Sequence, residues 1–280
     1  MRSPNATPAT PPSASALETL EEWRGKTQTP QQNEPVRGWR RAAATLADGY
    51  YLARQRLGAG PQEYIFVLGH MRSGSSLLTH LLAENAEICG YGETHLAYET
   101  PDDLRRLACK VYRRLRRMRM PERFVLDKIL HDRLTIDPSI LAAESCRFVF
   151  LIRRPTPSIA SMLRAYPDWF SGATRPPEVV IAKAADYYVR RLDRLADYAA
   201  RIGCRRRMLL LTHDTLIDGT AAALSTLQEF LELRNPLRAE YRLLRTTGQR
   251  GAGDFSKNIR AGRIVRRPAE AAPDLPEDLL

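Results

Sequence analysis

Tyr64-Ile-Phe-Val-Leu-Gly-His-Met-Arg-Ser-Gly-Ser-Ser-Leu-Leu-Thr-His-Leu-Leu82 joins an apolar run to a helical pattern through a loop of small residues. Tyr64 to Leu68 suit a strand buried on both faces, and the run stops at Gly69. After Gly74 come two hydroxyl residues, then Leu77, Leu78, Leu81 and Leu82, spaced for one face of a helix. A strand, a small-residue loop and a helix N-terminus suit a phosphate-bearing ligand. Glycines admit the ligand close to the backbone, free N–H groups point at the anion, and the helix dipole favours negative charge. A tight strand-to-helix turn that binds nothing would use the same small residues.

Gly69 and Gly74 are separated by four residues, as in the Walker A pattern G-x-x-x-x-G-K-[ST]. Ser75 stands where that pattern has its lysine, and Arg72 supplies a cation earlier in the loop. Arg72 followed by Ser73, Gly74, Ser75 and Ser76 resembles the 5′-phosphosulfate loop of sulfotransferases that use 3′-phosphoadenosine 5′-phosphosulfate (PAPS). The likeness is nearest to the tyrosylprotein branch and its bacterial relatives, whose loop reads Pro-Arg-Ser-Gly-Thr-Thr.

Three further segments extend the resemblance. Glu93-Thr94 lies 21 positions after Arg72, where the tyrosylprotein enzymes place the glutamate that takes the acceptor's hydroxyl proton. A neutral alcohol or phenol is a weak nucleophile and gains from such a carboxylate; His95 is the rival base. Lys128 ends the apolar run Phe124-Val-Leu-Asp-Lys128, where relatives carry a lysine that stabilises the transferring group, although Ile129-Leu130 replaces their Asp-Pro. Asp127 is also faintly like a Walker B metal ligand. Arg147-Phe-Val-Phe-Leu-Ile-Arg153 is a strand that leads through Arg154-Pro155 into a helix carrying Ser161. Arg153 and Ser161 match the family's grip on the 3′-phosphate, with Arg154 an alternative to Arg153. Finally, Gln249 to Gly262 resembles the late loop that closes over PAPS, with Lys257 the first choice for a nucleotide contact and Arg250 and Arg260 the alternatives.

Composition narrows the classes. The 280 residues are 44% hydrophobic and carry a formal charge of +11, mostly as arginine. No nucleic-acid motif or aromatic-basic interleaving accompanies the charge, so a polyanionic small ligand fits it better than nucleic acid. No run approaches the roughly 20 apolar residues of a membrane span, and no secretory h-region is present. Cys89, Cys109, Cys146 and Cys204 form no C-x-x-C pair and read as reduced thiols in a cytoplasmic protein. Seven arginines between 101 and 120 predict an amphipathic helix with a basic face, either solvated or meeting an acidic acceptor or a membrane surface. His213 reads as a satisfied histidine at a strand end.

Strands near 64–69, 88–91, 123–128, 147–153 and 207–213 alternate with helices, which predicts an α/β fold with a parallel sheet covered by helices on both faces. The domain, of the P-loop-containing nucleotide hydrolase-like type, is expected over 39–266, after a mostly disordered leader over 1–38 and before a flexible tail over 267–280. The resemblance implies sulfuryl transfer from PAPS to a hydroxyl-bearing small-molecule, carbohydrate or lipid acceptor, leaving adenosine 3′,5′-bisphosphate (PAP), with no metal. Glu93, Arg72 and Lys128 would be catalytic; Arg72, Ser73, Gly74, Ser75, Ser76, Arg153, Ser161 and Lys257 would bind the nucleotide. A P-loop kinase and a non-catalytic nucleotide- or polyanion-binding module are the alternatives.

Overall fold

The computed structural model describes residues 38–58, 60–166, 177–248 and 258–266. Five parallel strands, β1 Glu63–Gly69, β2 Ile88–Cys89, β3 Phe124–Ile129, β4 Cys146–Ile152 and β5 Met208–Thr212, form one sheet in the order β2-β3-β1-β4-β5. The helices are α1 Gly38–Arg56, α2 Ser75–Ala83, α3 Asp102–Leu115, α4 Pro138–Ala142, α5 Pro155–Ala165, α6 Pro177–Ile202, α7 His213–Asp218 and α8 Thr220–Phe230. This is the α/β architecture with a parallel sheet expected from the sequence.

The period-2 alternation of β1 divides the core between its two faces. Tyr64, Phe66 and Leu68 pack with Tyr51 of α1, Tyr112 of α3, Ile140 of α4 and Tyr198 of α6. Ile65 and Val67 pack on the other face with Leu78 of α2, Leu216 of α7 and Leu227 of α8. Because both faces are covered, β1 is apolar at consecutive positions rather than alternate ones. Phe66 is fully buried and stacks on Phe148 with 5.5 Å between ring centroids, so its truncation to alanine costs about 3–5 kcal/mol.

β1 lies at the centre, with the chain running to one side for β2 and β3 and to the other for β4 and β5. Ligands bind open α/β sheets at such a reversal, in the crevice beyond the carboxyl ends of the strands. The register sets Val67 beside Lys128 and Gly69 beside Leu151, so the chain leaves β1, β3 and β4 around that crevice.

Two expected elements are shorter than the sequence suggested. β2 ends at Cys89, and at Gly90 a side chain would come within 2.6 Å of the Leu126 Cβ on β3, so glycine is what lets the chain pass close there. α3 ends at Leu115, where Arg116 turns to a φ of 55°, so Arg116, Arg117 and Arg119 are off the helix. Much of the expected basic face is neutralised by acids: Arg105 pairs with Asp102, Arg106 with Asp103, Arg113 with Asp48 of α1, and Arg117 with Glu122.

Candidate active site

The loop between β1 and α2 is built to expose donors. Gly74 caps α2 at a φ of 93° and offers no side-chain cap to the helix start. A side chain there would be strained by that φ and would also meet the His213 ring at 2.9 Å. Arg72 also adopts a positive φ, 65°, which is costly for a residue with a Cβ and turns the chain sharply before Ser73. The Ser73 Oγ is fully buried and has no hydrogen-bond partner.

Arg72 and Arg153 converge on this loop. Arg72 Nε donates to Ser161 Oγ of α5 at 3.0 Å, and Arg153 Nη1 reaches the Arg72 carbonyl at 3.4 Å. Burial, then the charge of Arg72, lowers the Arg153 pKa from its ordinary value. Two guanidinium groups, two serine hydroxyls and an uncapped helix start in one place suit an anion with several oxygens. Arg154 is largely exposed and pairs with Asp214 at 3.0 Å.

Lys128 arrives from β3. Alternation along the strand sends Leu126 and Lys128 toward α2, and Asp127 toward α3. The Lys128 side chain is 1% exposed, and its Nζ lies 3.1 Å from Ser76 Oγ and 3.4 Å from Glu93 Oε1. Glu93 Oε2 is 3.4 Å from His131 Nε2. Burial raises the Glu93 pKa, but Lys128, His131 and His95 more than offset it and hold the carboxyl down at about 2. The sequence-predicted residues Arg72, Ser73, Gly74, Ser75, Ser76, Arg153 and Ser161 thus sit together, and Lys128 links them to Glu93. Lys257 and Arg250 lie outside the described residues. Arg260 is exposed in a short 3₁₀ turn beside Gly248.

Asp127 fixes the Glu93 segment from behind. Its Oδ1 accepts from the backbone N–H groups of Thr94 and Lys128, at 2.9 and 2.8 Å. Its Oδ2 accepts from Thr94 Oγ1 at 2.7 Å and from Tyr98 Oη at 2.5 Å. With all four contacts going to protein donors, Asp127 is a structural node here rather than a metal ligand. Burial pushes its pKa up, against the four donors that pull it down.

Sequence spacing gave no sign of how α6 fastens the crevice. Tyr187 Oη accepts from Met71 N at 2.9 Å and donates to the Leu130 carbonyl at 2.7 Å. One turn on, the fully buried Arg191 donates to the Gly69 carbonyl at 2.8 Å, to the Ile129 carbonyl at 2.7 Å and to Asp132 at 3.2 Å. Tyr188 Oη donates to the Arg153 carbonyl at 2.6 Å. His70 completes the frame: its Nε2 accepts from Arg153 N at 3.0 Å, which leaves Nδ1 to donate to the Met71 carbonyl at 2.8 Å. Burial lowers the His70 pKa to about 4. The contacts of Tyr187 and Arg191 join residues 57 to 122 positions apart, so only the i, i+4 spacing of that pair could have hinted at them.

No known family profile matches the chain, and no curated protein does. Among solved structures, the sulfotransferase domain from the curacin biosynthetic pathway overlaps it with 18% identity and a TM-score of 0.46, over 63% of this chain and 76% of that one. Mouse sulfotransferase SULT7A1 complexed with PAP gives 15% identity and a TM-score of 0.44, over 68% and 66%. Retinol dehydratase in a complex with retinol and PAP gives 14% and 0.39, over 62% and 61%. Among the described residues, no helix is long and apolar enough to cross a membrane.

Proposed function

We propose that this chain is a PAPS-dependent sulfotransferase that transfers a sulfuryl group to a hydroxyl of a small-molecule, carbohydrate or lipid acceptor. The observation that carries the reading is Lys128, which touches the helix start of the phosphate-type loop at Ser76 and the carboxylate of Glu93 with one ammonium group. A kinase loop keeps its own lysine for the phosphates; here the cation comes from the next strand and stands between loop and base. The loop's buried Ser73 hydroxyl, its helix N-terminus and the Arg72, Arg153 and Ser161 cluster fit a nucleotide with anionic groups at both the 5′ and 3′ positions.

PAPS, when bound, supplies an activated sulfuryl group and departs as PAP. Glu93 accepts the proton of the acceptor hydroxyl. Lys128 and Arg72 stabilise negative charge as it develops on the oxygens between the two reactants, and fixed donors of this kind commonly supply the largest rate term. Arg153 and Ser161 hold the 3′-phosphate, with the loop backbone and the hydroxyls of Ser73 to Ser76 on the 5′ side. Lys257 is assigned to closure over the nucleotide, and the mechanism asks no metal of the protein. All four cysteines are free thiols, which supports a reducing, cytoplasmic setting.

The test is an acceptor screen with isotopically labelled PAPS, read by mass spectrometry for a labelled sulfate ester. PAP should protect the protein from thermal unfolding more than ATP with magnesium does. Stronger protection by ATP with magnesium would favour a phosphotransferase, and PAP binding without transfer to any acceptor would favour a binding module.

A further inference from the structure

Glu93 must shed the proton it takes before it can act again, and its surroundings restrict where that proton goes. Lys128, at 3.4 Å, is an ammonium group and cannot receive another proton. Asp127, the carboxylate that holds the neighbouring Thr94, has both oxygens occupied by four protein donors. On the other side, His131 Nε2 faces Glu93 Oε2 at 3.4 Å. The imidazole is 17% exposed, so it reaches solvent as well as Glu93.

His131 is also held where such a role needs it. Leu130 before it is bonded to Tyr187 through its carbonyl, Asp132 after it is paired with Arg191, and its own carbonyl accepts from Leu134 N at 3.1 Å. Imidazole is the side chain best suited to gain and lose a proton near neutrality.

We propose that His131 is the proton outlet of the site, acting through Glu93. The inference rests on the sulfotransferase reading given above. In the transfer step the acceptor oxygen bonds to sulfur and the bond from sulfur to the PAP phosphate oxygen breaks, with its electron pair staying on that oxygen. The acceptor proton goes to Glu93. It then passes from Glu93 Oε2 to His131 Nε2, and the imidazolium releases a proton to water, which returns both groups to their starting charge.

The test uses the full chain, PAPS, and whichever hydroxyl acceptor the labelled-donor screen yields. His131→Ala and His131→Asn should lower kcat at least tenfold while PAP affinity stays within twofold, and added imidazole should restore turnover to His131→Ala but not to Glu93→Gln. A second readout needs no turnover. The groups that set the Glu93 carboxyl are Lys128 on β3, His131 on the loop after it and His95 on the loop after β2. Losing His131 should therefore raise the Glu93 titration above about 2, as followed by carbon-13 NMR of the side-chain carboxyl. Unchanged kcat, a loss that imidazole does not restore, or an unmoved Glu93 titration would each overturn the relay. If His131→Ala does not fold, judged by lost PAP binding, His131→Gly takes its place in the rescue. A wild-type chain that sulfates nothing in the screen removes the underlying reading as well; an active wild type with insensitive variants removes only the relay.

Discussion

Lys128 Nζ and Glu93 Oε1 face each other at 3.4 Å, so the group proposed to stabilise transferring charge also holds the proposed base in its anionic form. Glu93→Gln keeps the shape and the neighbours while removing the proton acceptor. It should fold, bind PAP as the wild type does, and lose about 10²–10⁴-fold in turnover, checked by calorimetry and steady-state kinetics. An undiminished rate would remove Glu93 from the mechanism.

Arg153 and Ser161 are the groups proposed to hold the 3′-phosphate, and Arg72 joins them through a 3.0 Å contact with Ser161. Arg153→Met should weaken PAP by about 10–100-fold, as expected for loss of a charge-assisted contact, and should barely affect adenosine 5′-monophosphate. Arg154→Met should leave both affinities near wild type, since that side chain is 74% exposed and engaged with Asp214. Titration calorimetry with the two nucleotides reads the difference directly.

His70 makes stability depend on pH in a stated direction. Its folded pKa is about 4, below the roughly 6.5 of an unfolded histidine. The unfolded chain therefore binds the proton first as pH falls. The contribution is complete above about pH 6.5 and is lost progressively down to about pH 4, by an amount on the order of 3 kcal/mol. Denaturant titrations from pH 7 to 4 should show that this part of the slope vanishes in His70→Gln.

Asp127→Ala would strand the donors of Thr94, Tyr98 and Lys128 in the interior. A loss of about 3–5 kcal/mol is expected by denaturant unfolding, because buried polar partners are left uncompensated. Asp127→Asn keeps one acceptor oxygen and should lose less stability. It should still lower kcat more than PAP affinity, since Thr94 directly follows the base.

The sheet was legible because a strand buried on both faces announces itself as an unbroken apolar run, as at Tyr64 to Leu68 and Phe148 to Leu151. The loop was legible because its glycine and hydroxyl residues are contiguous. What spacing could not show was pairing across the chain. Asp48 and Glu122 neutralise arginines of the 101–120 segment from other elements, and the αL turn at Arg116 stops its helix early. His131 was missed for the same reason: it is 38 positions from Glu93, and only the docking of β3 beside the Glu93 loop brings the two together.

Arg191 carries its guanidinium at zero exposure behind the crevice, with Asp132 as its acidic partner. Dissolved electrolyte shields exposed charges over about 10 Å at 0.1 M but reaches a sealed one far less. As ionic strength rises, the pull of the chain's net charge of +11 on a multiply charged nucleotide should therefore fade, while the sealed Arg191–Asp132 pair behind the crevice holds its place.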